Sequence, residues 1–131
     1  MRKRFIICTF LISTIFLLVG CSKKESDFKL QIKESSWSGL SEDYKPNEVT
    51  HKYDIVLGKD YNIDNGRFGF KVIKINSDSI IIETKETYSD DENGIDLNST
   101  KKKFEVFDDK EIKLTSTTMD AGYIYYLKLV K

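Results

Sequence analysis

Cysteine and histidine are scarce in this chain, and their scarcity restricts the chemistry that it supports. Among its 131 residues there are two cysteines, Cys8 and Cys21, and one histidine, His51. The chain beyond Cys21 therefore has no thiol for a disulfide or a redox site. A zinc site built on His51 would need three carboxylates as its other ligands, which is atypical. We predict a domain without metal or cofactor that folds on its hydrophobic core, with His51 as a strand residue near a sheet edge.

Alanine and proline are also scarce, with one copy of each, Ala121 and Pro46. Branched and aromatic residues, which favour a pleated and half-buried surface, are frequent instead. They recur at every second position in several short segments, as half-buried strands require. These segments are residues 28–32, 49–57, 68–75, 80–82, 104–107, 112–114 and 123–130. In the last of them Tyr123, Tyr125, Leu127 and Leu129 are predicted to face the core.

Residues with turn chemistry separate these segments. Asn65-Gly66 is typical of a hairpin, because both residues tolerate positive φ. Polar turns are also predicted at residues 76–78, 108–110 and 120–122. About seven strands in roughly 100 residues predict an all-β domain over residues 28–131, either a small antiparallel β-sandwich or a barrel.

The amino terminus combines a basic start with an apolar run. Basic residues at positions 2–4 precede the apolar residues 5–19, and Leu18-Val19-Gly20-Cys21 ends the segment. This layout resembles a bacterial lipoprotein signal peptide that ends in its lipobox. The run has 15 residues, fewer than the roughly 20 that cross a bilayer as a helix. An uncleaved transmembrane anchor is the alternative interpretation.

The resemblance implies that residues 1–20 are removed and that the sulfur of Cys21 carries a diacylglyceryl group. Two acyl chains give stable membrane attachment, whereas one gives marginal binding. Residues 21–27 would then be the lipidated cysteine and a polar tether. They would hold residues 28–131 at the extracytoplasmic face of the cell membrane. In a Gram-negative host, Ser22 in place of an aspartate after the cysteine would direct the protein to the outer membrane.

The overall charge argues against nucleic acid as a partner. The chain has 21 basic and 21 acidic residues. Removal of residues 1–20 takes away three basic residues and no acidic ones, which leaves 18 basic and 21 acidic residues, a net charge of −3. Such a balance is neither a nucleic-acid footprint nor a polybasic membrane patch. The predicted partners are the membrane, through Cys21, and an envelope protein or peptide.

Two segments interrupt the alternation, and they are predicted to be long connections over residues 33–48 and 85–101. Long connections in compact domains are often functional. Trp37 and Tyr44 are the candidate ligand-binding residues, because aromatic side chains dominate the energy of many interfaces. A core position for Trp37 is the competing interpretation.

Acidic clusters make calcium an alternative to consider. Residues 90–96 carry several carboxylates, but an EF-hand register places Ser89 and Thr100 where the family needs Asp and Glu. An irregular calcium loop over residues 90–96 stays open. Residues 60–64 show a similar polar alternation and are interpreted as a turn.

The sequence contains no phosphate loop, nucleophile elbow or zinc-protease motif. No catalytic residue is assigned, and we predict a non-enzymatic interaction or ligand-binding module, as immunity lipoproteins are. Ser35-Ser36-Trp37 resembles the Gly-x-Trp start of lipocalin-like barrels, which implies as an alternative a carrier of a small apolar ligand. A hydrolase built from carboxylates is the third hypothesis.

Overall fold

Eight antiparallel strands make up the part of the chain that the computed structural model describes, namely residues 25–40, 42–91, 100–117 and 120–131. The strands are β1 (Glu25–Ser38), β2 (Val49–Val56), β3 (Asp60–Ile63), β4 (Phe68–Ile75), β5 (Ser79–Ser89), β6 (Lys101–Phe107), β7 (Ile112–Ser116) and β8 (Ala121–Val130). These ranges contain no helix, and hence none with the length and hydrophobicity to cross a bilayer. The prediction of a small all-β domain is confirmed.

All eight strands belong to one sheet that curls into a half-barrel. The strand order is β2-β1-β8-β7-β5-β4-β3, and β6 pairs with β5. The first and last strands lie side by side, since β1 and β8 pair over ten residues from Lys29–Val130 to Ser38–Ala121. Strand β2 pairs with the other edge of β1. The first strand is therefore held on both sides.

The curl brings the two end strands of the sheet, β2 and β3, together. Tyr61 on β3 donates a hydrogen bond to the carbonyl oxygen of Asp54 at 2.5 Å and accepts one from the amide of Val56 at 3.1 Å. Both backbone groups lie on β2 and would otherwise be unpaired at a sheet edge. The Tyr61 hydroxyl thus bridges the seam between the end strands.

The concave face of the sheet carries the hydrophobic core. Leu30 and Ile32 on β1 are buried, and their register partners on β8, Leu129 and Leu127, are buried beside them. A second group, named here the aromatic cluster, fills the space between the two halves of the sheet. It consists of Tyr61, Phe68, Phe70, Tyr88 and Tyr125, all at most 6% exposed. Stacked and edge-on aromatic pairs of this kind stabilise a core beyond the effect of burial alone.

Strand β3 lies where the sequence pattern predicts a turn, so that the sheet has eight strands. Tyr61 and Ile63 point into the core, while Asp60 and Asn62 are exposed. Only two apolar residues alternate with polar ones here. A strand this short resembles a polar turn, and that resemblance explains the wrong interpretation.

The two predicted long connections are shorter than the sequence pattern indicates. Strand β1 continues to Ser38 and β5 to Ser89, so the connections are residues 39–48 and 90–100. On β1 the concave positions that follow Ile32 are Glu34 and Ser36. Their polar side chains hide the alternation that would have revealed the strand.

The structure also bears on the predicted tether and on the predicted acidic loop. Strand β1 begins at Glu25 and thus includes residues 25–27, which the polar composition assigns to the tether. The acidic loop 90–96 lies outside the described residues from residue 92 onward. The predicted signal peptide and Cys21 also lie outside them.

Candidate ligand-binding grooves around Tyr123

Two surface grooves share Tyr123 as a wall. The first, named here the Arg67 groove, has a volume of about 340 Å³, and the second, the Tyr44 groove, about 330 Å³. Tyr123 is 38% exposed, so its ring is accessible to a ligand. The Arg67 groove includes Arg67, Glu86, Tyr88, Ser116 and Tyr125, and the Tyr44 groove includes Ser36, Trp37, Ser38 and Tyr44.

Pairing of β1 with β8 builds the Tyr44 groove. Ser36 lies opposite Tyr123 in the register, and Trp37 lies opposite Gly122. The connection after β1 then folds back, and the hydroxyl groups of Ser36 and Tyr44 form a hydrogen bond. The structure therefore brings the two predicted binding residues, Trp37 and Tyr44, into one groove. Tyr44 is 42% exposed there.

Trp37 is a half-buried strand residue at this groove and not a member of the buried core. Its indole nitrogen Nε1 is buried and has no hydrogen-bond acceptor among the described residues. A buried donor without an acceptor costs about 1–3 kcal/mol. Trp37 can therefore contact a ligand in the groove through its accessible ring atoms and not through Nε1.

The β3–β4 turn positions Arg67. Asp64, Asn65 and Gly66 have positive φ of 51°, 55° and 84°, which confirms the predicted hairpin turn at Asn65-Gly66. The Arg67 guanidinium pairs with Asp64 at 3.1 Å and lies over the Tyr123 ring at 4.7 Å. Two contacts therefore hold this cation at the groove wall, and the guanidinium has further donors with which a ligand could form hydrogen bonds.

Asp64 is fully engaged inside the protein. Its Oδ1 accepts from Arg67, and its Oδ2 accepts from the Tyr125 hydroxyl at 2.8 Å. Burial and then the hydrogen bond to Asp64 raise the pKa of the Tyr125 hydroxyl above its ordinary value. The phenol therefore stays protonated and keeps the turn attached to β8 beneath the Arg67 groove.

Glu34 is the second carboxylate at this end of the sheet. It lies opposite Tyr125 in the β1–β8 register. Burial and the negative charge of Asp64 raise the pKa of the Glu34 carboxyl, while the charges of His51 and Arg67 act in the opposite direction. A more easily protonated carboxyl can donate as well as accept a hydrogen bond.

The prediction that Tyr123 faces the core is wrong, although Tyr125 and Leu127 are buried as predicted. Tyr123 shares their face of β8 but lies beyond the last row of buried side chains. No motif or spacing in the sequence marks Arg67 itself as a functional residue. Its position directly after Asn65-Gly66 was the available clue, because a hairpin turn at the end of two strands displays the residue that follows it.

The remaining candidate residues do not join the grooves. His51 is exposed on β2, an end strand of the sheet, and its ring lies 6.2 Å from that of Tyr53. This is the position expected for a strand histidine near a sheet edge. Within the described ranges, no three His, Cys, Asp or Glu side chains are placed to hold a metal ion.

No protein-family model, curated protein or solved structure shows significant similarity to the chain. The grooves and the amino-terminal sequence are therefore the features that bear on its function.

Proposed function

We propose that the chain is an extracytoplasmic lipoprotein, anchored through Cys21, that acts as a non-enzymatic binding module. Its partner is a peptide segment or an envelope protein that occupies the two grooves around Tyr123. The observation that carries this proposal is the exposed Tyr123 ring, which lines both grooves and is held by the Arg67 guanidinium. Tyrosine, tryptophan and arginine are the residues that most often dominate the energy of protein interfaces.

The grooves lie far along the sheet from the proposed anchor. Strand β1 is continuous from Glu25 to Ser38, and the proposed anchor precedes its start. Ser36, which lines the Tyr44 groove, is 11 residues further along the strand than Glu25. At about 3.3 Å per residue this separates the groove from the anchored end by roughly 35 Å.

The alternative functions receive less support. A carrier of a small apolar ligand needs an apolar cavity, but the aromatic cluster packs ring against ring on the concave face, with Phe68 and Tyr125 stacked at 4.3 Å. A two-carboxylate hydrolase needs both carboxylates available to substrate. Here Glu34 is available, but both oxygens of Asp64 already have partners within the protein.

The anchor is tested by Cys21→Ala. Because the sulfur is the acceptor of the diacylglyceryl group, the variant should incorporate no radiolabelled palmitate and should accumulate as a precursor. Cys8→Ala is the matched control, since it removes a thiol from the segment that would be cleaved, and it should incorporate as much palmitate as the parent. Equal palmitate incorporation in the Cys21→Ala variant and the parent would contradict the anchor.

The grooves are tested by photo-crosslinking in the intact host cell. A benzoylphenylalanine at Tyr44 should give an adduct of defined mass, and one at Ile73 should not, although Ile73 is also 38% exposed. Adding Tyr123→Ala should reduce the Tyr44 adduct at least about tenfold, as expected for an aromatic that dominates binding. The urea midpoint of the Tyr123→Ala variant should remain close to that of the parent. The proposal of groove binding would be contradicted if both crosslinker positions gave the same adduct. It would also be contradicted if Tyr123→Ala left the yield of the Tyr44 adduct unchanged.

A further inference from the structure

The convex face of the half-sheet formed by β2, β1, β8 and β7 gathers lysines from four strands. Leu30, Ile32, Leu114 and Leu127 are buried on the concave face, so the residues that alternate with them point outward. The outward residues include Lys52 on β2, Lys29 and Lys33 on β1, Lys128 on β8 and Lys113 on β7. We name this set the lysine face.

The strand registers place these lysines in adjacent rows. Gln31 lies between Lys52 and Lys128, and in the next row Lys33 and Lys113 flank Tyr126. Four neighbouring strands span about 15 Å, and rows two residues apart are separated by about 7 Å. Five ammonium groups thus share an area comparable to a few lipid headgroups.

A single ion pair with a carboxylate is formed by these lysines among the described residues. Asp54 is the acidic residue of the regular strand region that shares this face, and it pairs with Lys29 at 3.3 Å. Glu48 and Glu111, which directly precede β2 and β7, are exposed and alternate in phase with Lys52 and Lys113. Asp27 lies two residues before Lys29, where the β1–β2 register shifts. Lys33 lies over the Tyr126 ring at 4.3 Å. Lys52, Lys113 and Lys128 have no acidic partner among the described residues.

We infer that the lysine face lies against the anionic phospholipid surface to which the chain is anchored. The inference rests on the proposed lipid anchor and adds the orientation of the domain and the lipid charge that it recognises. Charge complementarity is the first argument, since a basic residue close to an anionic membrane surface increases binding about fivefold. The net charge of −3 without residues 1–20 makes a face with this excess of lysine a local exception.

Tether length is the second argument. Cys21 precedes the first residue of β1, Glu25, by four residues. Even a fully extended chain of that length reaches only about 14 Å. Lys29 is eight residues from Cys21 and thus lies within about 28 Å of it, and the remaining lysines continue across the neighbouring strands. Their aliphatic stems pack on the sheet while the ammonium groups reach outward.

The experiment uses the chain processed and lipidated at Cys21, purified from membranes and reconstituted into vesicles of either phosphatidylglycerol or phosphatidylcholine. Brief acylation with an N-hydroxysuccinimide ester, followed by mass spectrometry, gives a rate for each lysine. We expect Lys52, Lys113 and Lys128 to react at least about tenfold more slowly on phosphatidylglycerol. The control lysines Lys74 and Lys102, exposed on β4 and β6, should react equally on both lipids. About 1 M salt, which shortens the screening length to about 3 Å, should abolish the difference.

Charge reversal provides the matched comparison. Lys52→Glu with Lys128→Glu should abolish the lipid-dependent protection of Lys33 and Lys113. Lys74→Glu with Lys102→Glu changes the net charge equally and should leave it intact. Equal reaction rates on both lipids would overturn the inference while leaving the anchor in place, because the chain still floats with both kinds of vesicle. A chain that floats with neither would overturn the anchor and this inference with it. Protection produced by soluble polyphosphate but not by phosphatidylglycerol would assign the face to a soluble polyanion.

Discussion

Phe68→Ala should lower the free energy of unfolding by about 3–5 kcal/mol, as the truncation of a buried aromatic residue typically does. Phe68 is 0% exposed. Its ring stacks on Tyr125 at 4.3 Å and meets Tyr88 edge-on at 5.3 Å. Loss of the ring leaves a cavity lined by other rings, which cannot collapse without disturbing the floor of the Arg67 groove. Urea denaturation followed by circular dichroism measures the effect.

Ile73→Ala on the same strand is the matched control. Ile73 is 38% exposed, so its truncation should cost less than about 1 kcal/mol. Equal losses for Phe68→Ala and Ile73→Ala would show that the aromatic cluster is not the centre of the core. A helical circular dichroism spectrum of the parent would contradict the fold itself.

Alkaline pH should destabilise the protein steeply, because several tyrosines ionise less readily when folded than when unfolded. Burial, then the negative charge of Glu86 and that of Asp64, raise the pKa of Tyr88 to about 12. An unfolded tyrosine ionises near pH 10. Between these values the unfolded chain binds fewer protons than the folded one, so stability falls as pH rises. The contribution of Tyr88 is complete below about pH 10 and is lost toward pH 12, by up to about 1.4 kcal/mol per pH unit.

Tyr125, Tyr61 and Tyr53 act in the same direction, since burial also raises the pKa of each. The individual effect is isolated with Tyr88→Phe, which keeps the ring and loses only a long hydrogen bond of 3.4 Å to the Arg67 carbonyl. Urea midpoints from pH 8 to pH 11 should show a shallower decline for the variant than for the parent. Ionisation of the lysines affects the urea midpoints of the variant and the parent equally, so it cancels when the two declines are compared. Parallel declines would mean that Tyr88 does not contribute to the alkaline loss.

Sequence alternation predicted the strands whose concave side chains are apolar and missed the residues where function would lie. Strand β8 was recognised because Tyr125, Leu127 and Leu129 alternate with outward residues. The end of β1 was missed because Glu34 and Ser36 replace apolar residues on the concave face. A strand that extends past its core presents polar groups on both faces and resembles a loop in sequence.

The grooves and the lysine face depend on register, which the sequence pattern did not supply. Trp37 and Tyr44 are close in sequence and were selected together, but Tyr123 joins them only through the pairing of β1 with β8. Likewise Lys52 and Lys128 are far apart in the chain and share a row only because β1 lies between their strands. Because the net charge of the chain is near zero, composition alone does not reveal a surface with an excess of lysine.

Pairing of β1 with β8 delays completion of the sheet until β8 has been synthesised. The ten residue pairs between β1 and β8 join residues 29–38 to residues 121–130, so β1 has no partner on that side until β8 emerges. Contacts this distant in sequence make folding slow. Until β8 is present, one edge of β1 keeps unpaired backbone groups that can pair with other strands. The strand order thus leaves one edge of β1 unprotected while the strands between β1 and β8 are being made.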